Sequence, residues 1–294
     1  MSAHIRFDGE IITSRQNRRV VELMKLDDRR AREKTRTFRF DGVKLLCEAI
    51  RRGVEMEAIF LRVGTADRVA ARMEELYGCT PADAGCPVFG VEDSLFEKIS
   101  QENAPDGVIT VAKYIDKSHK NIIIYNKEEF HHETHAPIIL LESVRDPLNV
   151  GAIIRSAAAL GVGHLILSAD CADMYHPRTV RAAMGPLFSM PITRVEDLAG
   201  TIRSLRANGH KVYAAALDDT ALRLGSPEWT AEQGSDSAVL CAAPCAVIGN
   251  EGHGLSKAVI HACDRSVYIP MEADTESLNA GVAAALIMWE LCKK

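Results

Sequence analysis

No run of 18 or more apolar residues occurs in the 294-residue chain, so the sequence offers no transmembrane helix. Its opening residues, Met1-Ser2-Ala3-His4-Ile5-Arg6-Phe7-Asp8, lack the apolar core of a secretory signal, and a cytoplasmic protein is expected. Eight cysteines are scattered without a C-x-x-C pair, which reads as reduced, mostly buried thiols. Cys241 and Cys245 lie closest together, but no second Cys or His pair at zinc-ligand spacing accompanies them, so no metal is expected. Internal repeats and low-complexity segments are missing as well. What remains is an ordinary globular composition, 47% hydrophobic and 26% charged, with a length that suggests about two domains.

The net charge of −5 hides a split. Residues 1–62 carry 15 Lys and Arg against 10 Asp and Glu, leaving −10 for the rest. Between 14 and 39 ten basic residues face four acidic ones. Arg15, Arg18, Arg19, Arg29, Arg30 and Arg36 are the candidates for contact with a polyanion docked at one end of an acidic protein. The same run also suits a solvated helix face, since Asp27 and Asp28 interrupt it.

Periodicity predicts a helix over 14–34 capped by Ser14, a short alternating strand at Phe38-Arg39-Phe40, and a second helix opened by Asp41-Gly42. Strands and helices then alternate to about residue 115, which predicts a small α/β domain over 1–116. The polar, His-rich stretch 117–136 reads as a linker. His131 and His135 stand four apart there without forming H-E-x-x-H, so a linker is preferred to a metal site. Residues 137–294 read as a parallel α/β domain, from the buried-strand run Ile138-Ile139-Leu140-Leu141 to a final helix from Ser277 to Cys292. In that helix Leu278, Val282, Ala285, Leu286 and Trp289 form one apolar stripe.

Three stretches combine polar residues and glycines at strand ends, where open parallel sheets place their ligands. In Glu142–Arg155, Asn149 is a natural N-cap, and Arg155 follows on the helix among Ile153, Ile154, Ala157 and Ala158, where it needs a partner or must snorkel. Gly249-Asn250-Glu251-Gly252-His253-Gly254 is neither a Walker loop nor G-x-G-x-x-G; alone it suits a tight turn as well as a site. The missing dinucleotide fingerprint argues against a nicotinamide dehydrogenase. In Ile269–Asn279, Ser277 caps the last helix with Asn279 in its first turn.

Taken together and in this order, the three stretches resemble the motifs of the SpoU (TrmH-type) RNA ribose 2′-O-methyltransferases of the SPOUT superfamily. Arg181-Ala182-Ala183-Met184-Gly185-Pro186-Leu187-Phe188 resembles a further family stretch. Phe40–Leu46 and Pro105–Val108 resemble the substrate-binding domain that precedes the catalytic one. The resemblance implies a C-terminal domain with a parallel sheet and a deep trefoil knot, a smaller α/β RNA-binding domain before it, and S-adenosylmethionine as cofactor. It also implies a homodimer and an RNA partner, with ribosomal RNA favoured over tRNA and no membrane. The cofactor residues map to Gly249, Ile269, Leu278, Ile248 and Met271, and the catalytic set to Asn149, Arg155, Glu251, Ser277 and Asn279. Gly281 stands where the family usually has Ser, and Asp41 where it usually has Glu. A non-catalytic RNA-binding protein of the same fold is the alternative.

The residue types suit methyl transfer, an in-line displacement in which positioning of the ribose hydroxyl supplies much of the rate. The developing alkoxide needs a nearby cation, which Arg155 supplies while also clamping a phosphate. Within the family Arg is described as a general base, but a guanidinium pKa above about 12 favours electrostatic activation.

Overall fold

The computed structural model describes residues 5–115, 136–234, 243–272 and 277–293. The polar stretch containing His131 and His135 falls outside these residues, as does Cys241.

The first half begins with two helices where the sequence predicts one: α1 (Arg18–Lys25) and α2 (Arg29–Thr35). Asp28 breaks the run because its side chain accepts from the Ala31 N–H at 3.1 Å, capping a new helix. The first cap is Asn17, which accepts from the Arg19 N–H at 2.9 Å; Ser14 instead accepts from the Gln16 N–H in the preceding turn. There follow β1 (Thr37–Asp41), α3 (Val43–Arg51), β2 (Met56–Arg62), α4 (Ala66–Tyr77), β3 (Val88–Val91), α5 (Asp93–Ile99) and β4 (Val108–Lys113). The sheet order is β1-β4-β2-β3, with β4 antiparallel to both β1 and β2 and β3 parallel to β2.

Every residue of β1 is buried, Arg39 included, so the strand does not alternate in and out as its sequence suggests. The Arg39 guanidinium donates to the Ile99 carbonyl at 2.7 Å and to Asp41 at 3.2 Å. Arg32, also buried, donates to the carbonyls of Leu26 and Asp27. Two of the ten basic residues between 14 and 39 therefore hold the fold and are closed to a polyanion.

The second half runs β5 (Ile138–Leu141), α6 (Pro147–Leu160), β6 (His164–Ser168), α7 (Pro177–Ala183), β7 (Ile192–Val195), α8 (Leu198–Ala207), β8 (Val212–Ala215), β9 (Leu222–Arg223), α9 (Pro227–Gly234), β10 (Cys245–Ile248), α10 (Lys257–Ala262), β11 (Arg265–Tyr268) and α11 (Ala280–Cys292). The short β9 and α9 have no counterpart in the sequence reading. Two compact units result, and Tyr175–Ser189 packs with the first although it comes from the second half of the chain. Within that unit the Tyr175 ring lies 4.8 Å from Phe38, and Phe188 lies 5.6 Å from Phe40.

The second unit holds an all-parallel sheet in the order β7-β6-β5-β10-β8-β11-β9. From β5 the chain moves outward through β6 and β7, then returns to β8 on the far side of the slot that β10 fills. Such a reversal opens a crevice at the strand C-termini. Ile138, Leu140, Ile166, Val212, Ala214, Cys245 and Val247 bury one face of the sheet against Ile202 and Leu205 of α8 and Val259 of α10. No helix among the described residues is long and apolar enough to cross a membrane.

Candidate active site

At the C-terminal end of β10 the chain turns through Gly249–Ser256. Asn250 and Gly254 pair backbone to backbone in both directions, at 3.1 and 2.9 Å, and Gly254 takes a left-handed φ of 65°. Gly249 is required by this closure. A Cβ on it would fall 2.5 Å from the Gly254 carbonyl carbon, so this glycine serves the loop's own tight turn. The Asn250 side chain accepts from the N–H groups of Gly252 and His253 at 2.8 and 3.2 Å, and its amide donates to the Ser143 carbonyl at 2.8 Å.

α6 begins earlier than the sequence suggests. Asp146 is the N-cap, accepting from the Leu148 N–H at 2.9 Å, and Pro147 occupies the first helical position. Asn149 is therefore inside the first turn rather than at the cap, and its buried side chain is free to bridge. The Asn149 amide donates to the Glu251 carboxylate, and its oxygen accepts from the Asn279 amide at 2.9 Å. Asn279 in turn is the N-cap of α11, accepting from the N–H groups of Gly281 and Val282 at 2.9 and 3.3 Å. Ser277, expected at the cap, lies two residues before it. One residue from each of the three motifs thus joins a single hydrogen-bonded row, Glu251–Asn149–Asn279.

Beside this row lies a cavity of about 570 Å³ at the ends of β8, β10 and β11, within the size range of small-molecule sites. Ile248, Gly249, Ile269, Met271 and Leu278 all line it, as do Glu251 and Ser277. Ala215, Ala216 and Leu217, which bring the end of β8 to the same wall, and Ala280, Ala283 and Ile287 of α11 also line it, although no motif marks them in the sequence. The available signal was the strand Val212–Ala215, whose C-terminus sits at the same level as that of β10.

Arg155 is placed apart from the row. It is exposed on α6, while Ile153, Ile154 and Ala157 turn into the core, and among the described residues it has no hydrogen-bond or ion-pair partner. The stripe expected to bury α11 also faces outward: Val282, Leu286 and Trp289 are 49, 41 and 57% exposed. The buried side is instead Ala280, Gly281, Ala284, Ile287, Met288 and Leu291. In a helix apolar on nearly every face, periodicity does not say which face is inside.

In the first unit Arg15, Arg18, Arg19, Arg29, Arg30 and Arg36 are all exposed. Arg18 pairs with Glu22 and Arg29 with Glu33, each one helical turn on. Arg19 lies 4.1 Å over the Phe89 ring and Arg36 lies 4.7 Å over Tyr114.

Residues 136–289 match the model of the SpoU rRNA methylase family, and residues 17–110 match an MRM3-like substrate-binding domain. The 23S rRNA guanosine 2′-O-methyltransferase RlmP of Bacillus subtilis is 28% identical over 280 residues, covering 95% of this chain and 98% of that protein. The S-adenosylmethionine-bound rRNA methyltransferase of Sinorhizobium meliloti superimposes with a TM-score of 0.74 at 25% identity, covering 96% of this chain and 97% of the other. The SpoU methyltransferase AviRb of Streptomyces viridochromogenes, in complex with S-adenosylmethionine, gives 0.74 at 25% identity over 94% of this chain and 97% of its own. The motifs, the parallel sheet with its cavity and the family match agree: this chain belongs to the SpoU rRNA methylase family.

Proposed function

We propose that the protein is an S-adenosylmethionine-dependent RNA methyltransferase that modifies a ribose 2′-hydroxyl in ribosomal RNA. The observation that carries this reading is the Glu251–Asn149–Asn279 row standing beside a 570 Å³ cavity. The cavity suits an adenosyl group in size and chemistry, because Ile248, Ile269, Leu278 and Met271 supply apolar walls and the loops supply main-chain amides. When bound, the cofactor supplies an electrophilic methyl on a sulfonium. The row orients the ribose, and Arg155 supplies positive charge to the developing alkoxide.

Val282, Leu286 and Trp289 on α11, with Leu148 on α6, leave large apolar side chains in water, which supports a homodimer closed through this face. Arg155 shares the outward side of α6 and is then delivered to the site in the assembled dimer. A trefoil knot belongs to the same fold reading, supported by the seating of β10 between β5 and β8. In the first unit, exposed Arg15, Arg19 and Arg30 are the groups open to RNA phosphate.

The alternatives are a tRNA ribose 2′-O-methyltransferase and a non-catalytic RNA-binding protein of the same fold. Label transferred from S-adenosylmethionine to ribosomal RNA, to tRNA or to neither separates the three. Under 2′-O-methylation it is recovered in dinucleotides that resist alkali, because the neighbouring phosphodiester has lost its internal nucleophile. Label in alkali-sensitive nucleotides would mean base methylation and would contradict the proposal.

A further inference from the structure

Ser143, just after β5, holds a left-handed φ of 55°, a conformation that costs a non-glycine residue free energy and persists only where its surroundings enforce it. Here they do. Its N–H donates to Ser168 Oγ at 2.9 Å, its hydroxyl donates to Asp170, and its carbonyl accepts from the Asn250 amide at 2.8 Å. Ser168 Oγ donates to the other Asp170 oxygen at 2.6 Å. Main-chain and side-chain groups of one strained residue thus tie the turn after β6 to the loop after β10.

The consequence falls on the next residue along. Asn250 uses its side-chain oxygen within its own loop and its amide nitrogen across to β5, so the loop is fixed both internally and against the sheet. Glu251 follows directly and meets Asn149. The same loop carries Gly249, Gly252 and Gly254, whose main chain lines the cavity. Glu142 adds a second tie, accepting from the Ser256 N–H at 2.8 Å and its hydroxyl at 2.7 Å.

We infer that Asn250 and Ser143 are positioning residues for the methyl-transfer site, their amide-to-carbonyl bond setting the loop that shapes the cofactor cavity and aims Glu251. This rests on the reading under Proposed function. Asn250→Asp tests it, because the carboxylate keeps the acceptor for Gly252 and His253 but turns an oxygen toward the Ser143 carbonyl, where only a donor fits.

Calorimetric titration of the full-length protein with S-adenosylmethionine, alongside steady-state kinetics on RNA, gives the readout. Expected for Asn250→Asp is a Kd for S-adenosylmethionine raised about tenfold or more and a lowered kcat, with the KM for RNA within about twofold of wild type. Asn250→Ala, which removes all three side-chain bonds without introducing repulsion, is expected to give about a fivefold loss, and Ser143→Ala a smaller one in the same direction. Should Asn250→Asp not fold, Asn250→Ala carries the same test. A lowered melting temperature with Kd and kcat unchanged in the folded protein overturns the inference while leaving the methyltransferase reading in place. Failure of the wild type to bind S-adenosylmethionine overturns both.

Discussion

The Asn279 amide donates to the Asn149 oxygen at 2.9 Å while the Asn279 oxygen caps α11. One side chain therefore does two separable things: its acceptor holds a helix end and its donor holds the row beside the cavity. Asn279→Asp keeps the acceptor and loses the donor. It is expected to keep the helix cap, since Asp and Asn cap equally well, to cost about 1–3 kcal/mol by leaving the buried Asn149 oxygen facing a carboxylate, and to lower kcat at least about tenfold. Thermal melts and single-turnover rates on the same preparation check both parts.

Arg155 carries no folding duty among the described residues. Arg155→Ala is expected to leave stability within about 0.5 kcal/mol of wild type and to abolish methyl transfer. Arg155→Lys separates electrostatic activation from base catalysis, because a lysine can lose its proton far more readily than a guanidinium. Electrostatic activation needs the charged lysine and predicts a rate that falls as pH rises through the lysine pKa, about 10 in its ordinary range. A rate that instead rises with pH up to that value would favour the base.

The buried arginines of the first unit behave in the opposite way. Arg39→Ala leaves Asp41 and the Ile99 carbonyl without their buried partner and is expected to destabilise by about 3–5 kcal/mol. Arg15→Ala and Arg30→Ala are expected to fold normally and to lower RNA affinity, each reducing the salt slope by about 1. Chemical denaturation and filter binding at several salt concentrations distinguish the two groups.

The Asp170 carboxylate receives hydrogen bonds from Ser143, Ser168 and Arg145, which outweigh its partial burial and hold its pKa below the ordinary aspartate value. A depressed folded pKa means that this carboxylate stabilises the fold above the unfolded value of about 4. The contribution is lost as pH falls through the lower folded value. Asp170→Asn should therefore lower stability at neutral pH and flatten the acid limb of a stability-against-pH curve. An unchanged acid limb would show that the three donors do not bind the carboxylate.

Burial pushes the thiols of Cys47 and Cys263 up to about 12 and that of Cys86 to about 11. At pH 8 these thiols carry almost no thiolate. Alkylation of the native protein followed by peptide mapping is expected to leave Cys47, Cys263 and the fully buried Cys245 unmodified, and to label all three after denaturation.

Fold and site were legible in the sequence to different depths. Short buried runs such as Ile138–Leu141 and Cys245–Ile248 declared their strands because parallel strands covered on both faces need apolar side chains throughout. The three motifs stood out because polar residues at strand ends are otherwise hard to explain. Helix starts were less legible: Asp146-Pro147 and Asn279 cap where Asn149 and Ser277 were expected, since several adjacent residues can cap and tertiary bonds decide among them. The inward side of α11 was not legible at all, because Val282, Leu286 and Trp289 are as apolar as the residues that are buried. Nor could spacing show that Asn250 and Ser143, 107 positions apart, would meet.

The same outward face of α11 gives a prediction of its own. Trp289→Glu with Leu286→Glu is expected to yield a folded monomer with little or no methyl transfer, read by sedimentation velocity and a rate assay. A wild-type chain that sediments as a monomer and is fully active would show that the site needs no dimer.

Methyl transfer itself is tested most directly by incubating the protein with labelled S-adenosylmethionine and unmodified transcripts of ribosomal RNA and tRNA, then identifying the labelled nucleoside by mass spectrometry. One 2′-O-methylated nucleoside is expected, found in the ribosomal RNA and absent when Arg155 is replaced by Ala. A methylated base, or transfer that survives Arg155→Ala, would contradict this expectation.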